Sequence, residues 1–201
     1  MIAVIDYDAG NIKSVENALT SLGGNVVLTS DPDTVAKADK VVLPGVGVFG
    51  DARAKLDARG MDEAVYDVIR KGTPFLAICV GLQLLFDESE ESPGAKGLSV
   101  FGGRIIRIPA KEGIKVPQIG WNSLHMERDC RLLKGIEEGT FVYFVHSYYL
   151  EAEDKDIVIA STEYSAHIHA AVEKDNVFAT QFHPEKSGTA GLRILKNFME
   201  L

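Results

Sequence analysis

The stretch Phe75-Leu76-Ala77-Ile78-Cys79-Val80-Gly81-Leu82-Gln83-Leu84-Leu85-Phe86 decides how the rest of the chain is read. An apolar run ends at a cysteine, and a helical pattern starts directly after it. Two positions to either side stand the small residues Ala77 and Gly81. This is the layout of a nucleophile elbow, in which a strand turns sharply into a helix and presents one side chain at the bend. The small neighbours are needed because the bend crowds the backbone against adjacent elements. A cysteine at such a bend lies over the first N–H groups of the helix, which favour a thiolate. The same residues also fit an inert thiol buried at a strand end, a common setting for free cysteine.

The chain before the elbow alternates between two periodicities. Ile2-Ala3-Val4-Ile5-Asp6, Val26-Val27-Leu28 and Lys40-Val41-Val42-Leu43 are short apolar runs, as expected of parallel strands buried on both faces. Between them, Ile12, Val15, Leu19 and Leu22 mark one helical stripe, with Asn11 a fitting N-cap and Gly23-Gly24 a stop. Asp31-Pro32-Asp33 opens a short helix, with Pro32 suited to its first turn. Further helices are expected through Ala52 to Leu56 and from Met61 to Arg70. The order β-α-β-α-β-α-β argues for a parallel sheet covered on both faces. Beyond Phe86, the acidic run Asp87-Glu88-Ser89-Glu90-Glu91-Ser92-Pro93-Gly94 reads as a solvated loop. Strands then follow with little helix between them, near 103–108, 118–124, 140–150, 157–161, 166–173 and 177–182. Asp175-Asn176 fits a hairpin turn, and a last helix begins near Ser187. The expectation is an α/β fold, 1–201 in one domain, with an antiparallel extension of the sheet in its C-terminal half.

Composition narrows the function. The chain has 201 residues, 46% hydrophobic and 25% charged, the balance of a globular protein. A net charge of −8 disfavours general nucleic-acid binding. No apolar run reaches the roughly 20 residues that span a bilayer, and the N-terminus lacks the basic region of a signal peptide. Cys79 and Cys130, far apart and in unlike settings, do not form a disulfide framework. A cytoplasmic location is expected, with no membrane partner.

Ligands of an open α/β sheet bind outside the C-terminal ends of its parallel strands. Pro44-Gly45-Val46-Gly47 lies at one such end; its glycines let the backbone approach a ligand, and it could donate an N–H to an oxyanion or serve only as a tight turn. It lacks the length and the lysine of a phosphate-binding loop, so nucleotide binding is unsupported. Thr180-Gln181-Phe182-His183-Pro184-Glu185-Lys186 closes the last strand. In an extended backbone His183 and Glu185 point the same way, and Pro184 delays helix entry. Beside a cysteine they would make a nucleophile, base and orienter; alone they read rather as an ordinary surface pair. The other histidines, His125, His146, His167 and His169, show no ligand cluster, so no metal is expected.

Together, Ala77-Ile78-Cys79-Val80-Gly81-Leu82-Gln83 and Gln181-Phe182-His183-Pro184-Glu185, in this order and spacing, resemble the signatures of class I, triad-type glutamine amidotransferases. Pro44-Gly45-Val46-Gly47-Val48-Phe49-Gly50 is similar to the glycine-rich strand in the glutaminase subunits of imidazole glycerol phosphate synthases. So are Asp8-Ala9-Gly10-Asn11, Gly120-Trp121-Asn122 and Tyr143-Phe144-Val145-His146-Ser147-Tyr148. The likeness runs from Met1 to Leu201, with Ala77 standing where that family usually has glycine. It implies a flavodoxin-like three-layer fold and hydrolysis of glutamine, without a cofactor, by Cys79, His183 and Glu185. The N–H groups of Val46 and Val80 would form the oxyanion hole. Gly45, Gly47, Gln83, Glu91, His146, Ser147 and Tyr148 would hold the substrate. It further implies a heterodimer with a (β/α)₈-barrel cyclase subunit that uses the ammonia in histidine biosynthesis. Asn11, Trp121 and Lys186 would face that partner, although a core position is the other reading of Trp121. Glutaminase subunits serving anthranilate, aminodeoxychorismate or pyridoxal phosphate synthesis carry other residues after the glycine-rich strand. A noncatalytic flavodoxin-like binding protein is the rival from another class.

Overall fold

Short apolar strands that must be buried on both faces need helices above and below them, and the chain supplies these in turn. In the computed structural model, which describes residues 1–8 and 12–201, the first half runs β1 (Ile2–Ile5), α1 (Ile12–Ser21), β2 (Val26–Thr29), α2 (Pro32–Ala36) and β3 (Lys40–Gly45). It continues with α3 (Phe49–Ala58), α4 (Met61–Arg70), β4 (Phe75–Cys79) and α5 (Val80–Leu84). The second half is nearly all strand: β5 (Glu88–Ser89), β6 (Gly103–Arg107), β7 (Gln118–Ser123), β8 (His125–Met126), β9 (Phe141–His146) and β10 (Tyr148–Ala152). After a 3₁₀ turn at Lys155–Ile157 come β11 (Val158–Glu163), β12 (His167–Lys174) and β13 (Val177–Thr180). A second 3₁₀ turn, Pro184–Lys186, leads to α6 (Gly188–Met199).

The main sheet has the order β2-β1-β3-β4-β13-β12-β10-β6-β5. β2, β1, β3, β4 and β13 are mutually parallel; β12, β10 and β6 follow antiparallel. Strand order reverses after β2, so right-handed crossovers send α1 and α2 to opposite faces. Accordingly α1 packs with α6, while α2 and α3 pack with α4. Each fully buried Leu, Ile, Val or Phe between these layers contributes about 1.5–3 kcal/mol. The local signals behave as their chemistry requires. Asp31 caps α2 through both carboxylate oxygens, with Pro32 in the first turn, and Asp175 takes a positive φ of 52° in the β12–β13 hairpin. Asn11, expected to cap α1 and to face a partner, lies outside the described residues, as do Ala9 and Gly10. Among the described residues no helix is long and apolar enough to cross a membrane.

Two expectations change. The apolar run 140–150 is not one strand: β9 pairs with β7 in a separate two-stranded sheet, and β10 joins the main sheet. The chain changes sheets at Ser147. The acidic run after Phe86 is tied down rather than merely solvated. Ser89 is buried, Glu90 accepts the N–H of Arg107 at 2.8 Å, and Asp87 accepts that of Gly103 at 2.9 Å. Charged residues there act as hydrogen-bond acceptors for backbone that the sheet leaves unpaired.

The parallel strands place Gly45 of β3 opposite Cys79 of β4 and Thr180 of β13 opposite Ile78. Backbones at this edge come close. A Cβ on Gly45 would stand 2.7 Å from both the Gly81 nitrogen and the Tyr7 hydroxyl, and one on Gly81 would overlap the Leu43 carbonyl. Ala77 is fully buried between Leu43 and Ala179, so its methyl is accommodated where the related family has glycine. Gly81→Ala should therefore lower the free energy of unfolding by at least about 3 kcal/mol, read by urea denaturation; a change below about 1 kcal/mol would mean that the elbow can relax.

Candidate active site

The three segments singled out in the sequence meet at one edge because β3, β4 and β13 are parallel neighbours. Cys79 ends β4 with φ 57° and ψ −111°, a strained conformation for a residue carrying a Cβ. Its side chain is buried, 4% exposed, at the floor of a cavity of about 170 Å³. α5 is one turn and a fraction long. Leu82, Leu84, Leu85 and Phe86 are all fully buried, so no polar face marks where the helix stops. It ends because the carbonyls of Leu84 and Leu85 take N–H groups from Leu98 and Val100 instead. Behind the elbow, Tyr7 donates to the Pro44 carbonyl at 2.9 Å. Burial, with the nearby Cys79 charge, raises the Tyr7 pKa further above its ordinary value and keeps it a donor.

His183 and Glu185 meet, by a route other than an extended strand. β13 stops at Thr180, and Glu185 sits inside the Pro184–Lys186 3₁₀ turn, which folds its carboxylate back to His183 Nδ1 at 2.8 Å. The side chains are 3% and 2% exposed. Pro184 opens that turn rather than postponing all helix. The backbone around His183 is fixed three ways: its N–H donates to Tyr143 O at 2.9 Å, Ser187 Oγ donates to its carbonyl at 2.6 Å, and the same Oγ accepts the Tyr143 N–H at 3.0 Å. Burial alone would depress the imidazole pKa. Interactions with Cys79 and Glu185, and their charges, outweigh it and push the pKa up to about 10. His183 Nε2 is buried and has no hydrogen-bond partner among the described residues, which leaves it free for a group entering the cavity beside Cys79.

The rest of the cavity wall comes from both sheets. Val46 and Gly47 line it from the end of β3, Gly47 with φ 97°, and Val80 lines it from the first turn of α5. Gln83, buried, donates from Nε2 to the Tyr148 carbonyl and to Gln181 Oε1, each at 3.1 Å. Glu91, Ser147 and Tyr148 line the opposite side. Gly45 lies behind the wall, packed against Gly81. His146 lines the cavity with both ring nitrogens engaged, Nδ1 with Tyr148 O at 2.9 Å and Nε2 with the Gln118 amide at 3.1 Å. Burial lowers its pKa to about 4, so the neutral ring orients the Tyr148 carbonyl and carries no charge into the site. A larger cleft of about 410 Å³, among Asp87, Arg104 and Glu153, contains none of these groups.

Gln181 was not singled out. It is fully buried, donates from Nε2 toward Cys79 Sγ at 3.7 Å and accepts from Gln83, linking Cys79 to the cavity wall. Its signal was the register: a residue following Thr180 must lie beside Cys79. Trp121 and Lys186 stand away from the cavity. Trp121 is 54% exposed, which overturns the core reading, and its ring meets Tyr143 edge-on at 6.1 Å. Lys186 Nζ lies 5.9 Å from the same Tyr143 ring. Cys130 is free, and no group of three metal-ligating side chains occurs among the described residues.

The family model for class I glutamine amidotransferase matches residues 3–201. The chain belongs to the class I glutamine amidotransferases. Within that family it is 53% identical over 201 residues to the imidazole glycerol phosphate synthase subunit HisH of Methanothermobacter thermautotrophicus, covering 100% of this chain and 98% of the relative. It is 49% identical to the HisH subunit of Caldanaerobacter subterraneus, with coverage of 100% and 98%, and 45% identical to that of Methanocaldococcus jannaschii, with full coverage of both. A solved glutamine amidotransferase superposes with a TM-score of 0.77 at 18% identity, covering 100% of this chain and 98% of the other. PurLQS from Thermotoga maritima gives 0.77 at 19%, with 99% and 97% covered. These two bear on the fold. As a member of the HisH group of class I glutamine amidotransferases, the chain is a glutamine-hydrolysing subunit.

The raised His183 pKa has a direct test. A raised value keeps the imidazolium through neutral pH and releases its proton only near pH 10. Cys79→Ala deletes one of the two partners that raise it, so the titration followed by imidazole NMR should move down toward the ordinary value of about 6.5. An unmoved midpoint would mean that Cys79 does not interact with the ring.

Proposed function

We propose that Cys79, His183 and Glu185 hydrolyse glutamine by acyl transfer. The Cys79 thiolate attacks the carboxamide carbon, and the carbonyl π electrons move to oxygen. N–H groups of Val80 and of the Val46 segment stabilise that oxyanion. His183 gives its proton to the amide nitrogen as the C–N bond breaks and ammonia leaves a γ-glutamyl thioester. It then takes a proton from water as hydroxide adds to the thioester, and collapse releases glutamate and the thiolate. Glu185 holds the tautomer and orientation of the ring. Gln83, Glu91 and the Ser147-Tyr148 backbone receive the amino-acid end of the substrate, and Gln181 steadies Sγ. The reading is carried by the hydrogen bond between buried His183 and Glu185 beside a strained, buried Cys79.

Ammonia released into water is mostly protonated and no longer nucleophilic, so a shielded second site gains from direct transfer. We infer that this chain works as one domain, in a reducing cytoplasm, docked on a barrel cyclase subunit of the HisF type. The cyclase consumes the ammonia to form imidazole glycerol phosphate and an aminoimidazole carboxamide ribotide. The docking surface is the outer face of β7 and β9. There Ile119 and Phe141 are 64% and 59% exposed, flanking Trp121, with Lys186 at the edge. Exposed aromatic and aliphatic side chains of this density mark an interface; Asn11 is a further candidate for it.

Cys79→Ala should reduce glutamine turnover by at least about 10⁴-fold, measured as glutamate release with the cyclase present; retained turnover would remove the triad assignment. Trp121→Ala should weaken cyclase association about 30-fold in calorimetric titration, the loss expected of a central aromatic anchor. Unchanged affinity would move the interface elsewhere.

A further inference from the structure

Helix α3 continues directly from the Val46 segment, and its start lacks a cap of its own. The N-cap residue is Val48, with φ −91°, ψ 135° and no side-chain hydrogen bond to the first turn. No side chain in Val46-Gly47-Val48 can accept the N–H groups that the first turn of any helix leaves unpaired. The acceptors come from 42 residues further along the chain. Glu91 Oε2 accepts the Phe49 N–H at 2.8 Å, and Ser92 Oγ accepts the Gly50 N–H at 2.9 Å. Gly50 lies close against Ser92, since a Cβ on Gly50 would stand 3.0 Å from both Cβ and Oγ of Ser92. The capping loop is itself fixed. Glu91 N–H donates to Ser89 Oγ at 3.2 Å, Ser92 N–H to the Ser89 carbonyl at 3.2 Å, and Ala95 N–H to the Ser92 carbonyl at 3.0 Å. Ser89 is buried in β5, which pairs with β6 at the far end of the sheet.

We propose that Glu91 and Ser92 form a helix cap supplied from a distant loop, and that Ser92 is thereby a positioning residue for the oxyanion segment Val46–Val48. This rests on the assignment of Cys79 as nucleophile and of the Val46 segment as oxyanion donor. Gly47, with φ 97° and no atom within 4 Å of where its Cβ would be, gives the segment freedom at its centre. The segment is therefore held from its two ends. At one end Gly45 is wedged against Gly81, and at the other the first turn of α3 is clamped by Glu91 and Ser92. Glu91 also lines the cavity, whereas Ser92 does not, so Ser92 reports the clamp without touching substrate. Because one carboxylate both caps α3 and faces the cavity, a cation bound there shares its charge with the helix that continues the oxyanion segment.

The test uses the full chain with its cyclase subunit and the variants Ser92→Ala, Ser92→Thr and Cys79→Ala. Ser92→Ala should lower kcat for glutamine about five-fold, the factor a lost helix cap corresponds to when it falls on the transition state. KM should stay within two-fold. The rate of Cys79 alkylation by iodoacetamide, which needs no oxyanion hole, should be unchanged, and Ser92→Thr should keep at least half of kcat. An unchanged kcat in Ser92→Ala overturns the proposal. So does a rise in KM alone, or alkylation that falls in step with kcat, because either assigns Ser92 to substrate contact or to general support of the fold. Turnover surviving in Cys79→Ala is a separate result: it removes the nucleophile assignment, whatever Ser92 does.

Discussion

The close approach of two backbones, at Gly45 and Gly81, is the constraint on which the site depends. Only because neither residue has a Cβ can the end of β3 lie against the turn that follows Cys79. That contact sets the separation between Cys79 and the Val46 segment proposed to receive the oxyanion. It also forces Cys79 out of ordinary strand geometry, at a cost on the order of 1–3 kcal/mol. The cost is borne by the strand behind it, because every residue of β4 is buried and Phe75 to Ile78 are paired on both edges. Tyr7 adds a fixed donor to the Pro44 carbonyl, so β1 participates in holding the same corner.

Electrostatics then select what this geometry can do. An exposed His–Glu pair contributes little to stability and less to chemistry. Here both partners are almost wholly out of water, and Glu185 keeps a second buried oxygen without a partner among the described residues. A carboxylate so poorly solvated binds an adjacent cation strongly, and the nearest one available is His183 in its protonated form. The effect of burial on His183 is opposed and overcome by its two neighbours. Its counterpart His146, equally buried but hydrogen-bonded only to a carbonyl and an amide, goes the other way and stays neutral. Two histidines in one cavity are thus sorted into a charged and a neutral ring by whether an anion stands beside them.

The legible part of the fold was the part with strong periodicity. The parallel half followed from short apolar runs alternating with amphipathic helices, and its caps and turns from Asp31, Pro32 and Asp175. Cys79 and the His183–Glu185 pair could be placed at strand ends from local pattern alone. What sequence could not supply was long-range register and the ends of uniformly buried elements. α5 has no polar face, so nothing in Leu82 to Phe86 marks its stop. The run 140–150 is apolar enough for one long strand, yet Ser147 divides it between two sheets. Trp121 looked better suited to a core, because aromatic content does not say which face of a strand meets solvent. Gln181 and the Glu91–Ser92 cap depend on neighbours about 40 to 100 residues away, which only the folded chain brings together.

The division at Ser147 has a consequence for the site as a whole. Along β9, Val142, Phe144 and His146 point inward, while Phe141, Tyr143 and Val145 face out. The inward set ends at the cavity wall, where His146 orients the Tyr148 carbonyl that receives Gln83. The outward set carries the exposed apolar surface with Trp121. Tyr143 belongs to both, because its ring lies beneath Trp121 and Lys186 while its backbone carbonyl accepts the His183 N–H. One strand of period two therefore has the cavity on one side and an exposed apolar face on the other. That outer face is tied to the His183 backbone at Tyr143, directly through its carbonyl and again through Ser187 Oγ, so a displacement of this ribbon is passed to the imidazole through its own backbone.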